Sequence, residues 1–210
     1  MKYSCTGVIL AGGMNKRFSG EKKAFIKVGG IRILDRIFGI FHELFKEVIL
    51  VTNSPLQYLE WDVCIVRDLF PVRSSLTGIH AGLFFSNHSH AFFSASDTPF
   101  LKKELVETIV SSIGPKTEVI VPETSAGLEP LCAVYSKKRI HTIEKLLDRH
   151  NFKIQSVFKG VGIQKIPESR LRETDSDLLS FFNINTPEDL VRAKEIEAKT
   201  GRIRETHRSA

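Results

Sequence analysis

Apolar runs of strand length, separated by segments with helical spacing, recur along this chain and constrain its fold more than any other feature. The first is TGVILA at 6–11, and EVILVTN, DVCIVRD, AFFSASD, EVIVPE and PLCAVYS follow. The runs are continuously apolar rather than alternating, as strands buried on both faces are. Between the first two lies RILDRIFGIFHELF, in which Ile33, Leu34, Ile37, Phe38, Phe41, Leu44 and Phe45 recur at helical spacing. Further helices are expected near 77–86, 101–113, 138–149 and 152–158. Strands alternating with helices imply an α/β fold with a mostly parallel sheet covered on both sides.

A length of 210 residues suits a single domain with its own core. The ordinary hydrophobic (42%) and charged (26%) fractions exclude disordered and fibrous classes. In NTPEDLVRAKEIEA, Thr186 can cap a last helix, Pro187 suits its first position, and Glu188 and Asp189 favour its positive end. The expected division is a domain over 1–198 and a basic, flexible tail over 199–210, KTGRIRETHRSA. Cys5, Cys64 and Cys132 form no CxxC pair, and Cys64 and Cys132 sit in apolar runs, which predicts buried, reduced thiols. The histidines show no metal-binding spacing. No signal peptide or membrane-length apolar stretch is found, so a soluble, cytoplasmic protein is expected.

The formal net charge of +6 suits a polyanionic or phosphate-rich partner. Aromatic residues are not interleaved with the basic ones in a stacking platform, so nucleic acid is not the expected partner. Ligands of parallel sheets collect beyond the carboxyl ends of the strands. The residues expected there are Gly12 and Gly13, Asn53, Asp68 and Asp97. The glycine pair reads either as a tight turn or as a loop whose backbone N–H groups approach a ligand. It matches neither a Walker A loop nor a dinucleotide GxGxxG. Lys16, Arg17, Lys22 and Lys23 follow it, and clustered cations beside glycines suit phosphates, with Arg17 able to grip one bidentately. Asp97, before a Thr-Pro turn, is either a turn-capping carboxylate or a magnesium ligand, since Mg²⁺ takes one or two carboxylates and completes its shell with phosphate and water.

These residues resemble the molybdenum cofactor guanylyltransferases, within the wider nucleotidyltransferases, over nearly the whole chain. Leu10, Ala11, Gly12, Gly13, Arg17, Lys23 and Gly30 match the LAGGxSxRMG…DKxLL…G signature; Lys22 replaces its usual Asp, and Asn15 and Phe18 its Ser and Met. SLTGIHAGL is similar to the family's PLAGIxAGL segment, SDTPFL to CDxPFL, and EPLCAVY to PLxAxY. The resemblance implies a single-domain, Rossmann-like, three-layer nucleotidyltransferase fold. It implies an enzyme that joins GMP from GTP to molybdenum-bound molybdopterin and releases pyrophosphate. Arg17, Lys23 and Asp97 are the implied catalytic residues, with Mg²⁺ on Asp97. Leu10, Ala11, Gly12, Gly13, Lys23, Asn53, Asp68 and Asp97 would hold the nucleotide. Asn183 and Asn185, in FNINTP, match a segment that would meet the pterin; the same residues also read as a turn and capping stretch. Implied partners are GTP, molybdopterin, a molybdopterin-delivering protein and apo-molybdoenzymes, with neither nucleic acid nor membrane. Lys23 is preferred to Lys22 as the phosphate lysine, because its spacing to Gly30 matches. The alternatives are a related enzyme using CTP or a sugar phosphate, and a non-catalytic carrier of molybdopterin or nucleotide. LAGG and NINTPEDL favour the guanylyl reading over the first, and an intact Asp97 over the second.

Overall fold

Neighbouring residues on the central strands face opposite ways into two separate apolar layers, which is why those strands read as unbroken hydrophobic runs. Ile9, Leu50 and Phe92 enter one layer, while Val8, Ile49 and Phe93 enter the other. All six are fully buried, and each such side chain stabilises the fold by roughly 1.5–3 kcal/mol relative to exposure.

The computed structural model describes residues 2–12, 23–160 and 162–208, with side chains as far as Thr200. In chain order the elements are β1 (Tyr3–Leu10), β2 (Lys27–Val28), β3 (Ile31–Arg32), α1 (Ile33–Leu44), β4 (Phe45–Val51), β5 (Cys64–Val66), α2 (Ser75–Phe85), β6 (His90–Ala95) and α3 (Lys103–Val110). There follow β7 (Val119–Thr124), β8 (Gly127–Leu128), β9 (Ala133–Ser136), α4 (Ile140–Asp148), β10 (Ile163–Pro167), α5 (Glu168–Arg172) and α6 (Pro187–Arg208). The main sheet has the order β10-β7-β9-β6-β1-β4-β5, with β8 beside β7; β2 and β3 form a separate hairpin. Helices α1, α3, α5 and α6 pack on one face, and α2 and α4 on the other. The result is a single-domain, three-layer α/β sandwich.

The sheet is mostly parallel, as expected, but β9 runs antiparallel to both β6 and β7. An apolar run carries no mark of direction, so PLCAVYS gave no warning of the reversal. The segment expected as a helix near 152–158 is instead a 3₁₀ stretch over Ile154–Phe158. Strand β10 escaped the sequence reading because it is a sheet edge with exposed residues, so its run VGIQKIP is not continuously apolar. Cys64 corrects another expectation: it is exposed, because β5 is the opposite edge of the sheet, whereas Cys5 and Cys132 are buried.

The last helix starts where its capping signals place it. The Asp189 carboxylate accepts the Asn185 and Thr186 amides at 2.8 and 2.9 Å, and the Asp189 amide donates to Thr186 Oγ1 at 3.3 Å. The Asn185 amide, foremost, holds the Asp189 carboxyl below the usual carboxylate range. The helical backbone of α6 runs on through residues 199–208.

Candidate active site

Strands β1, β4, β5 and β6 are mutually parallel, so their carboxyl ends share one edge. The chain winds from β1 outwards to β4 and β5, then crosses back to place β6 on the other side of β1. Such a reversal opens a crevice at the end of the central strand. Here it is a cavity of about 420 Å³, within the ordinary range for small-molecule sites. Its lining includes Leu10, Ala11 and Gly12 from the end of β1, Asp68 beyond β5, Asp97 beyond β6, and Lys23, Asn183 and Asn185. Of the expected nucleotide residues that the structure describes, only Asn53 does not line the cavity. It sits behind Asp68, its Nδ2 donating to Asp68 Oδ2 at 2.7 Å and so fixing that carboxylate's orientation. Gly13, Arg17 and Lys22 lie outside the described residues.

Three distant parts of the chain meet on one cavity wall. Lys23 Nζ stands 3.2 Å from Asp97 Oδ2 and donates to Asn185 Oδ1 at 2.8 Å. An ammonium has three donors, and these bonds use two of them. The Lys23 and Asp97 side chains keep only 18% and 20% of their surface exposed, so the charges are little screened compared with an ion pair in open water. The Ile184 amide donates to the Asp97 carbonyl at 3.0 Å, and Asn183 Nδ2 to the Phe181 carbonyl at 3.1 Å. The NIN segment thus leads into the cap of α6, as its capping reading has it, and Asn183 and Asn185 also line the cavity.

Among the described residues there is no group of three or more His, Cys, Asp or Glu arranged to hold a metal. The donor set fits Mg²⁺ only in the manner of phosphate-transfer sites, where a single carboxylate such as Asp97 is joined by phosphate oxygens and water.

Other lining residues were not assigned from sequence. Arg73, Ser74, Ser75 and Gly78 form the wall around the start of α2. Ser74 and Thr77 cap that helix reciprocally, side chain to backbone at 3.1 Å in each direction. The serine and threonine three apart were a legible start signal, but the helix direction that aims it at the cavity was not. Tyr58 also lines the site; burial pushes its phenol up to about 12, opposed by a hydrogen bond with Thr52. His80, on the buried face of α2, packs edge-on against Phe70 with ring centres 4.9 Å apart. Trp61 stacks on Phe25 and Phe38 and donates to Asp35, a packing role.

A doubly wound sheet whose central strand runs out into Ala11 and Gly12, with a lysine, a carboxylate and a capped helix start around the crevice, defines a protein of the nucleotide-transferring α/β class. The model of the MobA-like NTP transferase domain matches residues 7–165, and the chain belongs to that family. It is 45% identical to the molybdenum cofactor guanylyltransferase of Desulfosudis oleivorans, covering 94% of this chain and 98% of that one. A probable molybdenum cofactor guanylyltransferase of Natranaerobius thermophilus is 35% identical, over 95% of this chain and 100% of its own. The crystal structure of molybdopterin-guanine dinucleotide biosynthesis protein A from Archaeoglobus fulgidus superposes with a TM-score of 0.80 at 28% identity, covering 92% and 99% of the two chains.

Proposed function

We propose that the chain transfers GMP from GTP to molybdenum-bound molybdopterin, forming the guanine dinucleotide cofactor and pyrophosphate. The observation that carries this reading is the meeting of Lys23, Asp97 and Asn185 on one wall of the cavity at the end of β1. The 45% identity to a guanylyltransferase supports the choice of substrates.

In the proposed reaction a terminal phosphate oxygen of molybdopterin attacks the α-phosphorus of GTP in line. The bond from that phosphorus to the β-phosphate oxygen breaks, and pyrophosphate leaves with the electron pair. Transfers of this kind need positioning and charge neutralisation more than a strong base. The Gly12 amide and the remaining Lys23 donor would meet phosphate oxygens, joined by the Gly13 amide and Arg17. Asp68, oriented by Asn53, and the wall of Arg73 and Ser75 would face the nucleoside. Asn183 and Asn185, which line the same cavity, would meet the pterin. Mg²⁺ bound at Asp97 would neutralise charge on the phosphate oxygens. Among the described residues no helix is long and apolar enough to cross a membrane. A cytoplasmic site of action, with a delivery protein before the enzyme and apo-molybdoenzymes after it, belongs to the same proposal.

The test is pyrophosphate release with GTP, CTP, ATP or UTP, with and without molybdenum-loaded molybdopterin. Release with GTP that requires the pterin is expected. Equal use of CTP would move the chain to a sister activity. Asp97→Ala should lower the rate by at least ~100-fold, the scale of losing one key transition-state contact, while weakening GTP binding only in part. Tight nucleotide binding without turnover in the unaltered protein would identify a carrier.

A further inference from the structure

The first carbonyl beyond β1 is held in a way the ladder of the sheet does not explain. Leu10 and Ala11 continue the strand alternation: the Leu10 carbonyl accepts the Ser96 amide at 3.1 Å beside β6, and the Ala11 amide donates to the Val51 carbonyl at 2.8 Å beside β4. The Ala11 carbonyl then also points towards β4, where the ladder has ended. It faces two hydroxyls instead, Thr52 Oγ1 at 3.3 Å and Tyr58 OH at 3.5 Å, which also hydrogen-bond each other and so form one small cluster on the carbonyl. Thr52 Oγ1 in turn accepts the Ser54 amide at 3.2 Å, so its position is set by its own turn.

A trans peptide is planar, with its C=O and N–H pointing in opposite directions. Fixing the Ala11 carbonyl towards Thr52 and Tyr58 therefore turns the Gly12 N–H away from β4, towards the side of the cavity where Asp97 stands. Tyr58 also reaches the other end of the glycine loop. Its ring lies 5.2 Å from that of Phe25, which stacks on Trp61 at 5.8 Å. Phe25 belongs to the same 3₁₀ turn as Lys23.

We propose that Thr52 and Tyr58 are positioning residues for phosphate: their hydroxyls set the Ala11–Gly12 peptide so that the Gly12 N–H faces the triphosphate, and the Tyr58 ring anchors the turn carrying Lys23. This rests on the reading of the cavity as a nucleoside triphosphate site, but not on which base it takes. Neither side chain touches the reacting atoms; both act through Gly12 and Lys23.

The test uses inorganic pyrophosphate with Mg²⁺, and separately guanosine, as probes binding to the full chain. The variants are Thr52→Val, Thr52→Ser and Tyr58→Phe, each checked by thermal unfolding. Thr52→Val, nearly isosteric but without the hydroxyl, should weaken pyrophosphate binding about tenfold and kcat/KM for the nucleotide by ~10- to 100-fold, the scale of a small misplacement of a binding group. Guanosine binding should change less than twofold, and Thr52→Ser should restore pyrophosphate binding. Tyr58→Phe, which keeps the ring, should give a smaller loss confined to the phosphate probe. Equal losses for pyrophosphate and guanosine would show general damage and overturn the proposal. So would unaltered pyrophosphate affinity in Thr52→Val, or no pyrophosphate binding to the unaltered protein. A wild-type preference for CTP over GTP would sink the guanylyl reading while leaving this one standing.

Discussion

Asn185 is exposed, yet its side-chain oxygen accepts from Lys23, which faces Asp97. A hydrogen bond to a charged donor at an exposed site contributes about 1 kcal/mol, so Asn185→Ala should weaken GTP binding roughly fivefold by letting Lys23 wander. Calorimetric titration with GTP checks this, and the unfolding midpoint should not move. Lys23→Met should cost far more in turnover than in stability, because it leaves Asp97 without its cation; stopped-assay pyrophosphate release measures the loss. Asn53, Asp68 and Asp97 were legible in the sequence because each follows a run that reads as a strand, and strand ends gather at one edge, whereas Lys23 was found through its place in the family signature. Thr52, Tyr58 and Arg73 were not. Their use depends on which carbonyl or cavity wall the folded chain brings beside them, and nothing in their local pattern records that. Cys64 was misread for the same kind of reason, since an apolar run says nothing about whether its strand is central or at the margin.

Helix α2 shows how an element far wider than the site controls it. A Cβ added at Gly82 would lie 2.7 Å from both Phe93 Cε1 and Val8 Cγ1, so the helix can approach β1 and β6 this closely only without a side chain there. Gly82→Ala should cost ~1–3 kcal/mol through overpacking, a fall of very roughly 2–12 °C in Tm for a chain of this size. Differential scanning calorimetry reads that directly. Because the same helix begins with the wall of Ser74, Ser75 and Gly78, KM for the nucleotide should rise in parallel, whereas a substitution on exposed Lys194 of α6 should leave it unchanged. The elements themselves were largely readable: α1 from its apolar spacing, α6 from its capping residues, the central strands from their unbroken hydrophobicity. Strand direction was not, because reversing β9 leaves its composition the same, and β10 was lost to its polar, exposed edge.

At the end of the sheet opposite the cavity, strand starts are joined by a polar cluster. Glu47 on β4 accepts from Thr6 Oγ1 at 2.5 Å and from the Asn87 amide at 3.0 Å, and it lies 3.3 Å from His88 Nδ1. Thr6 also bonds Ser86. Burial opposes the charge on Glu47, but the donors from Thr6, Asn87 and His88 outweigh it and hold the carboxyl below its ordinary value. A carboxylate with a lowered folded pKa contributes stability above its unfolded value of ~4.3, and loses it as pH falls through the folded one. Glu47→Gln should therefore lower Tm at neutral pH, and its difference from the unaltered protein should shrink as pH falls from about 5 towards 3. Unfolding midpoints across that range settle it.

The closing of the cavity by Asn183 and Asn185 also sets an order in time. Among the described residues every strand precedes Glu168, so the strands of the sheet are available before the segment that reaches Lys23 and Asp97 has been made. At synthesis rates of ~5–20 residues per second, the stretch from Pro167 to Asn185 takes about one to four seconds. During that interval a nascent chain has every strand of its sheet and lacks both the wall of its cavity and the residues of α5 and α6 that complete one core layer. The wall of the cavity is thus among the last parts of the polypeptide to be made, and a product cut short after β10 would lack that wall together with the Leu171, Ile184 and Ala193 side of its core.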